Sequence, residues 1–385
     1  MPRILIVTGE ASGDLHGAHL AEALRALRPD VELIGVGGAR MAAAGVTLLP
    51  GIDRLDIMGL FGATQLGAIA RTFATIARYL MSTKLDAVVF VDHPGMNLRL
   101  ARVARYAGHR VIYYIAPQIW AWGARRLRRI VKFVDRMIVV LPFEVDLYRR
   151  AGLRCEYVGH PLRDEIAPQY DAAELRKRFG VSEAPAVIGL LPGSREREVR
   201  ALLPVLLASA SGLVRRHPGT EFLLAQAGTV PDALLADLTG AAPVRVRIIK
   251  DRTNDVMAAC DLLLVASGTA TLQAAVIGTP MVMLYRLSWP TYLAAQIVVR
   301  FNRIRMFHDL RCFGLVNLVA GRRIVPELIQ FDATAANLVA EADRLWPGQP
   351  AADVMRRELR VVRDLVGEAG ASRRAAALIL AECGG

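Results

Sequence analysis

Several short stretches of this chain combine residue types that could do chemistry, and each follows an apolar run of strand length. The first, near the midpoint, is Val187-Ile188-Gly189-Leu190-Leu191-Pro192-Gly193-Ser194-Arg195-Glu196-Arg197-Glu198. It reads as strand, tight turn and long helix, and such a junction presents free backbone N–H groups at a helix N-terminus, where an anion binds well. Arg195 decides whether the anion is a phosphate, because its planar fork holds two phosphate oxygens under a permanent charge. A Ser-capped βα turn with a solvated arginine fits the same residues. The second stretch, Ala266-Ser267-Gly268-Thr269-Ala270-Thr271-Leu272-Gln273, repeats this geometry, and its hydroxyls and N–H groups suit a second phosphate contact or a ribose. Upstream, Asn254-Asp255-Val256-Met257 opens another helix at a strand end. Two anion-friendly turns in one domain point to a nucleoside diphosphate.

The third stretch, Val88-Val89-Phe90-Val91-Asp92-His93-Pro94-Gly95-Met96-Asn97, ends a buried strand in a carboxylate followed by a proline turn. Asp92 could serve there as general base for a sugar hydroxyl, or it could cap the following helix. His93 reads as a polar turn residue, because no second His or carboxylate stands at metal-ligand spacing. Near the N-terminus, Thr8-Gly9-Glu10-Ala11-Ser12-Gly13-Asp14 closes a first strand and places Glu10 at its end, with Ser12 or Asp14 expected to cap the first helix. The stretch is not Gly-x-Gly-x-x-Gly, so no nicotinamide cofactor is indicated. The fourth stretch sets Tyr113, Tyr114, Trp120 and Trp122 beside Arg125, Arg126, Arg128 and Arg129. Aromatics interleaved with cations could stack on bases or lie at a membrane interface, while core packing of the Tyr pair is the bland alternative.

The elements that must position these residues alternate. The first half is expected to form strands near 3–7, 31–35, 86–91, 110–115 and 136–141, with helices near 15–28, 64–82, 97–107, 124–133 and 144–151. After a polar linker at 164–171, strands near 186–191, 221–225, 244–248, 261–265 and 280–284 alternate with helices near 196–216, 231–239, 254–259, 269–277 and 291–301. Helices from about 333 close the chain. The pattern implies two Rossmann-like domains in tandem, whose ligands sit at the carboxyl ends of the strands. At 385 residues, 54% of them hydrophobic, the chain is long enough for two such cores. The net charge is +12, with four lysines among 48 basic residues, and two blocks dominate it. Arg99 to Arg136 holds ten basic residues and one acidic, and Arg286 to Arg323 holds seven and one, which fits an acidic partner: anionic lipid, nucleic acid or a phosphorylated substrate. Cys155, Cys260, Cys312 and Cys383 are widely spaced and read as reduced thiols of a cytosolic protein. No signal peptide is read at the start, and no apolar run reaches the ~18 residues of a spanning helix, so membrane association would be peripheral.

Taken together, the motifs resemble those of the lipid-A-disaccharide synthase family over nearly the whole chain. They are Gly9-Glu10-Ala11-Ser12-Gly13-Asp14, Met58-Gly59, Asp92-x-Pro94-x-x-Asn97, Pro117-Gln118-x-Trp120-Ala121-Trp122, Leu141-Pro142-Phe143-Glu144, Gly159-His160-Pro161, Leu191-Pro192-Gly193-Ser194-Arg195, Ala266-Ser267-Gly268-Thr269-Ala270 and Asn317-Leu318-x-Ala320-Gly321. The resemblance implies a GT-B fold: an α/β chain with two Rossmann-like domains facing each other across a cleft and C-terminal helices crossing back toward the N-terminal domain. It implies an acceptor and membrane-docking domain at 1–165, a UDP-sugar donor domain at 166–345, and terminal helices at 346–385 that pack on the first domain or are exchanged in a homodimer.

The implied reaction is inverting transfer of 2,3-diacylglucosamine from UDP-2,3-diacylglucosamine to the 6-hydroxyl of 2,3-diacylglucosamine 1-phosphate, releasing UDP, in lipid A and lipopolysaccharide biosynthesis for the Gram-negative outer membrane. By position, Asp92 would be the base, and Arg195 would stabilise the departing diphosphate. Glu10 and Asn317 would line the sugars, and Gly193, Ser194, Ser267, Gly268, Thr269 and Gln273 would hold UDP. Met96, Asn97, Trp120, Trp122, Arg125 and Arg126 would face the acceptor and the anionic lipid of the inner membrane's cytoplasmic face. Neither a metal nor another cofactor is implied, since charge stabilisation can replace a metal, and the basic blocks coincide with family motifs, which argues against nucleic acid. Gln273 stands where the family usually carries Glu, Met96 replaces an aromatic, Val316 a proline, and Gly62 a common carboxylate. These departures leave open a divergent enzyme of the same fold acting on another UDP-sugar, or a catalytically impaired paralogue at the membrane.

Overall fold

The computed structural model describes residues 1–9, 11–50, 63–119, 124–240, 242–286 and 312–384. The chain separates into two compact units, Met1–Asp164 together with Gly367–Gly385, and Glu165–Val366.

The first unit contains β1 (Arg3–Val7), α1 (Ala11–Leu27), β2 (Glu32–Val36), α2 (Ala39–Ala43), β3 (Thr47–Leu48), α3 (Ala63–Ser82), β4 (Ala87–Val91), α4 (Pro94–Tyr106), β5 (Val111–Tyr114), α5 (Ala124–Phe133), β6 (Arg136–Val139), α6 (Glu144–Arg150) and β7 (Arg154–Tyr157). All its strand pairs are parallel, in the order β3-β2-β1-β4-β5-β6-β7. β4 is buried along its whole length, as a central parallel strand covered on both faces must be, which is why it reads as an unbroken apolar run. Phe90, Tyr113, Leu100 and Met137 belong to the core on one face of this sheet.

A short helix, α7 (Leu162–Glu165), spans the division between the units. The second unit then runs through α8 (Ala172–Arg178), β8 (Val187–Leu191), α9 (Glu196–Arg216), β9 (Glu221–Gln226), α10 (Asp232–Gly240), β10 (Arg247–Lys250), α11 (Thr253–Ala259), β11 (Leu262–Ala266), α12 (Thr269–Ile277), β12 (Met281–Tyr285), α13 (Leu315–Ala320), β13 (Glu327–Ile329), α14 (Ala335–Arg344) and α15 (Pro350–Leu365). Its parallel sheet has the order β10-β9-β8-β11-β12-β13.

In both sheets the strand order reverses once, between β1 and β4 and between β8 and β11. Neighbouring connections leave to opposite faces at such a point, which opens a crevice at the carboxyl ends of the two strands. Thr8-Gly9 and Asp92 therefore flank one crevice, because Val7 pairs with Phe90. Pro192–Arg195 and Ser267–Thr269 flank the other, because Leu191 pairs with Val265.

The terminal segment 346–385 does not behave as one piece. The apolar face of α15, with Ala352, Met355, Leu359 and Val362 buried, packs on α12 and α13 within the second unit. Only α16 (Ala371–Cys383) belongs to the first unit, where it packs on α1. An ion-pair cluster ties it there. Glu382 reaches Arg136 at 3.0 Å, Arg154 at 3.2 Å and Arg110 at 3.3 Å.

The expected polar linker at 164–171 is trimmed by α7 at its first two residues and carries no helix or strand over 166–171. Asp171 accepts a hydrogen bond from the Glu174 N–H at 3.0 Å and so starts α8, a helix the sequence pattern did not show. β3, β7, β13, α2, α7 and α13 were also not expected; β3 is two residues long, and β7 and β13 are short and carry polar residues, so none forms an apolar run. The helix expected at 291–301 lies outside the described residues.

Candidate functional site

In the second unit, β8 ends in Leu191 and the chain turns through Pro192-Gly193-Ser194 into α9. Arg195 occupies the N-cap position with extended backbone and no side-chain cap bond, and the Val199 N–H donates to its carbonyl at 3.0 Å. Ser194 is therefore not the cap; its carbonyl accepts the Thr229 hydroxyl at 2.6 Å, which pins the turn from β9's side. Gly193 lies at φ +112°, a left-handed conformation in which a side chain is strained. A Cβ there would also stand 2.6 Å from Oε2 of Glu198. The Arg195 side chain is 77% exposed, and its guanidinium meets Oε1 of Glu198 at 3.0 Å.

Across the crevice, Gly268 caps α12, with the Thr271 hydroxyl and N–H both donating to its carbonyl at 2.8 and 3.2 Å. Apart from its two chain neighbours, no described residue places an atom within 4 Å of where a Gly268 Cβ would stand, so the space beside it is open. A cavity of about 310 Å³ lies between the two turns. Gly193, Ser194, Arg195, Ser267, Gly268, Thr269 and Gln273, far apart in sequence, all line it. Two helix N-termini and one guanidinium thus converge on a single space, and together they favour a multiply charged anion.

Glu198 lines the same cavity and was given no part by the sequence reading, although it stands three residues after Arg195. A second cavity of about 540 Å³ shares Ala227, Thr253 and Gln273 with the first and adds Tyr170, Asp251, Arg252 and Asn254. Gln273 therefore faces both. Asp251 escaped notice because β10 was expected at 244–248. The strand runs to Lys250, so Asp251 is its strand-end residue, at φ +55°.

Asn317 was expected to line the sugars, but the structure employs it elsewhere. It is fully buried, donating to the Val325 carbonyl at 2.9 Å and Glu327 Oε1 at 2.7 Å while accepting from the Ile324 and Val325 N–H groups at 2.8 and 2.9 Å. These four bonds occupy both amide hydrogens and both lone pairs, which leaves nothing for a ligand.

In the first unit, Asp92 and His93 both have positive φ, +49° and +39°. Non-glycine residues in that region cost roughly 1–2 kcal/mol each, and such strain persists only where surroundings over-determine it. Here the Asp92 N–H donates to the Tyr114 carbonyl at 3.1 Å, and its own carbonyl accepts from the Tyr113 hydroxyl and from Nδ2 of Asn97 at 3.0 Å. Tyr113 is fully buried. Burial, aided by the charge of Asp92, pushes its phenol well above the usual tyrosine value, so it remains a protonated donor. The N-cap of α4 is His93 rather than Asp92. The His93 ring lies over Gly9, where a Cβ would stand 2.4 Å from its Cγ, so glycine is required there.

Met96 and Asn97, expected to face the acceptor, are both buried in the first unit. Met96 is 5% exposed within the core, and Asn97 is fully buried with its amide also donating to the Val91 carbonyl at 3.1 Å. The Tyr113–Tyr114 pair is core as well. Asp14 caps a neighbour instead of its own helix: its carboxylate accepts from the N–H groups of Gly38, Arg40 and Met41 at 2.6, 3.2 and 3.2 Å and so starts α2. Arg126 is exposed on α5. Glu10, Trp120, Trp122, Met58, Gly59, Gly62 and the Arg125 side chain lie outside the described residues.

A family model described as lipid-A-disaccharide synthetase matches residues 4–376. A lipid-A-disaccharide synthase of Geobacter sulfurreducens is 42% identical over 380 residues, covering 98% of this chain and 96% of that protein. The chain belongs to the lipid-A-disaccharide synthase family. A second relative so named, from Myxococcus xanthus, is 38% identical over 381 residues, covering 98% and 97%. As a member of the family the chain is a glycosyltransferase. Among solved structures it is similar to a putative UDP-N-acetylglucosamine 2-epimerase of Listeria monocytogenes, with TM-score 0.65, 14% identity, and coverage of 98% of this chain and 95% of that one. It is also similar to MurG of Acinetobacter baumannii, with TM-score 0.61, 14% identity, and coverage of 99% and 100%. These likenesses are of fold, and the two parallel sheets are those of GT-B.

Proposed function

We propose that the chain transfers 2,3-diacylglucosamine from UDP-2,3-diacylglucosamine to the 6-hydroxyl of 2,3-diacylglucosamine 1-phosphate, with inversion, forming a β-1,6 linkage and releasing UDP. The observation that carries the reading is the cavity between the Arg195 and Thr269 helix N-termini, in a chain that belongs to this family along its length. Donor UDP lies in that cavity, its diphosphate against the N–H groups of the two turns and Arg195. Its ribose lies against Gln273, whose border position suits a group passing from one cavity to the next. As the bond from the sugar to the diphosphate breaks, negative charge builds on a phosphate oxygen, and preorganised donors stabilise it without rearranging. Asp92 accepts the proton from the attacking hydroxyl. Its strained and doubly anchored backbone holds the carboxylate at the mouth of the first sheet.

Both lipid substrates demand an enzyme at a membrane surface, and no described helix is long and apolar enough to cross one. The neighbouring helices α4 and α5 expose Arg99, Arg102, Arg126, Arg128, Arg129 and Lys132, with Tyr106 67% exposed beside Arg102. This surface suits peripheral docking on the anionic cytoplasmic leaflet of the inner membrane.

The test is disaccharide formation from UDP-diacylglucosamine and radiolabelled diacylglucosamine 1-phosphate in detergent micelles. UDP binding without product would overturn the assigned reaction.

A further inference from the structure

Glu198 places a carboxylate inside the cradle that a diphosphate would enter. It follows Arg195 by three residues, in the first turn of α9, where the helix N-terminus favours negative charge. Its side chain is 21% exposed against 77% for Arg195, so it lies inward of the arginine it binds at 3.0 Å. Its second oxygen folds over the turn toward Gly193, at a distance only glycine permits. Tyr285, at the end of β12, senses both groups: after burial, the charge of Glu198 raises its phenol and that of Arg195 lowers it. Glu198 thus occupies the guanidinium and the mouth of the helix N-terminus together, with the charge sign of the ligand expected there.

We infer that Glu198 is a displaceable placeholder. In the empty protein it holds Arg195 folded over the cavity; when a diphosphate arrives, the guanidinium exchanges carboxylate for phosphate, and when product UDP leaves, Glu198 recaptures it. The inference rests on the donor-diphosphate reading of this cavity and adds a positioning residue to it. The exchange is isoelectric for Arg195, which always has an anionic partner, so the guanidinium is never left to wander into solvent. An ion pair this exposed is worth a factor of only about two to five in an equilibrium. The pair is therefore strong enough to orient Arg195 and weak enough for a diphosphate to break.

The test titrates UDP and inorganic pyrophosphate calorimetrically into wild type, Glu198→Gln, Arg195→Ala and the double variant, with a thermal melt to confirm that each is folded. A placeholder predicts that Glu198→Gln binds both ligands roughly two- to fivefold more tightly, and that the gain disappears in the Arg195→Ala background. Turnover at saturating donor should fall with it, as UDP leaves more slowly. Unchanged or weaker binding by Glu198→Gln would overturn the inference, because a carboxylate that orients Arg195 in the loaded site loses affinity when removed. If wild type binds pyrophosphate but not UDP, the donor reading fails while the sign of the Glu198→Gln effect on pyrophosphate still decides the exchange. Binding of neither ligand overturns both.

Discussion

Asn317 donates a 2.7 Å hydrogen bond to Oε1 of Glu327, and both side chains are buried. The same carboxylate accepts from the N–H groups of Gly314 and Phe313, each at 2.9 Å, so the pair stitches the start of α13 to β13 and the loop before it. Asn317→Ala should destabilise the chain by roughly 2–4 kcal/mol, because it strands several buried polar groups at once. UDP affinity measured well below the melting temperature should stay close to wild type. A large loss of UDP affinity in a folded variant would return Asn317 to the donor site.

Asp92→Asn keeps the shape and removes the basicity. Turnover should fall by about 100-fold or more, the usual worth of a positioned general base, with UDP affinity nearly unchanged. Steady-state assay beside calorimetry separates the two, and a matched fall in UDP affinity would contradict the base assignment.

His160 and His16 predict an acid-sensitive first unit. Burial lowers His160 to about 3 and His16 to about 4, each pushed slightly further by a neighbouring imidazole. Above pH about 6.5 both are neutral, folded or unfolded, and contribute no pH dependence. Below it the unfolded chain binds protons that the folded chain refuses, so stability falls with acidification by up to about 1.4 kcal/mol per pH unit for each histidine until its folded value is reached. Urea-unfolding free energies between pH about 6 and 4 should show a slope shallower by nearly one proton in His160→Gln. Equal slopes would mean that His160 titrates normally in the folded chain.

Glu382 and Arg136 meet with each side chain only 7% exposed. Glu382→Gln leaves Arg136 without its closest counter-charge, and removing one member of a buried pair costs about 3 kcal/mol or more. The loss should appear as lowered urea midpoints and faster proteolytic cutting near 367–370, as α16 leaves the first unit. An unchanged midpoint would show that the apolar contacts of α16 with α1 suffice.

Most of the alternation was legible in the sequence because long apolar runs and amphipathic helices are local signals. β1, β4, β8 and α9 begin or end within a residue or two of their expected places. The two strand-end turns that line the cavity were legible for the same reason: Pro192–Arg195 and Ser267–Thr269 carry their geometry in three or four consecutive residues. Short elements with polar side chains, such as β7 and β13, gave no such signal, and the late placement of β10 hid Asp251.

By itself the sequence determined the fold class and the strand-end positions of Asp92, Arg195 and Ser267–Thr269, since each follows from residues adjacent in the chain. The tertiary structure decided which strand ends meet and what each polar group does on arrival. The reversal between β8 and β11 brings together turns separated by some seventy residues, a pairing that hydrogen bonds such as Val187 N–H to Asp261, 74 residues apart, hold in register. It also spent Asn317 on its own buried surroundings while leaving Arg195 and Glu198 at the cavity: the Asn317 amide has both donors and both acceptor positions satisfied locally, whereas the charged pair at a helix mouth stays accessible.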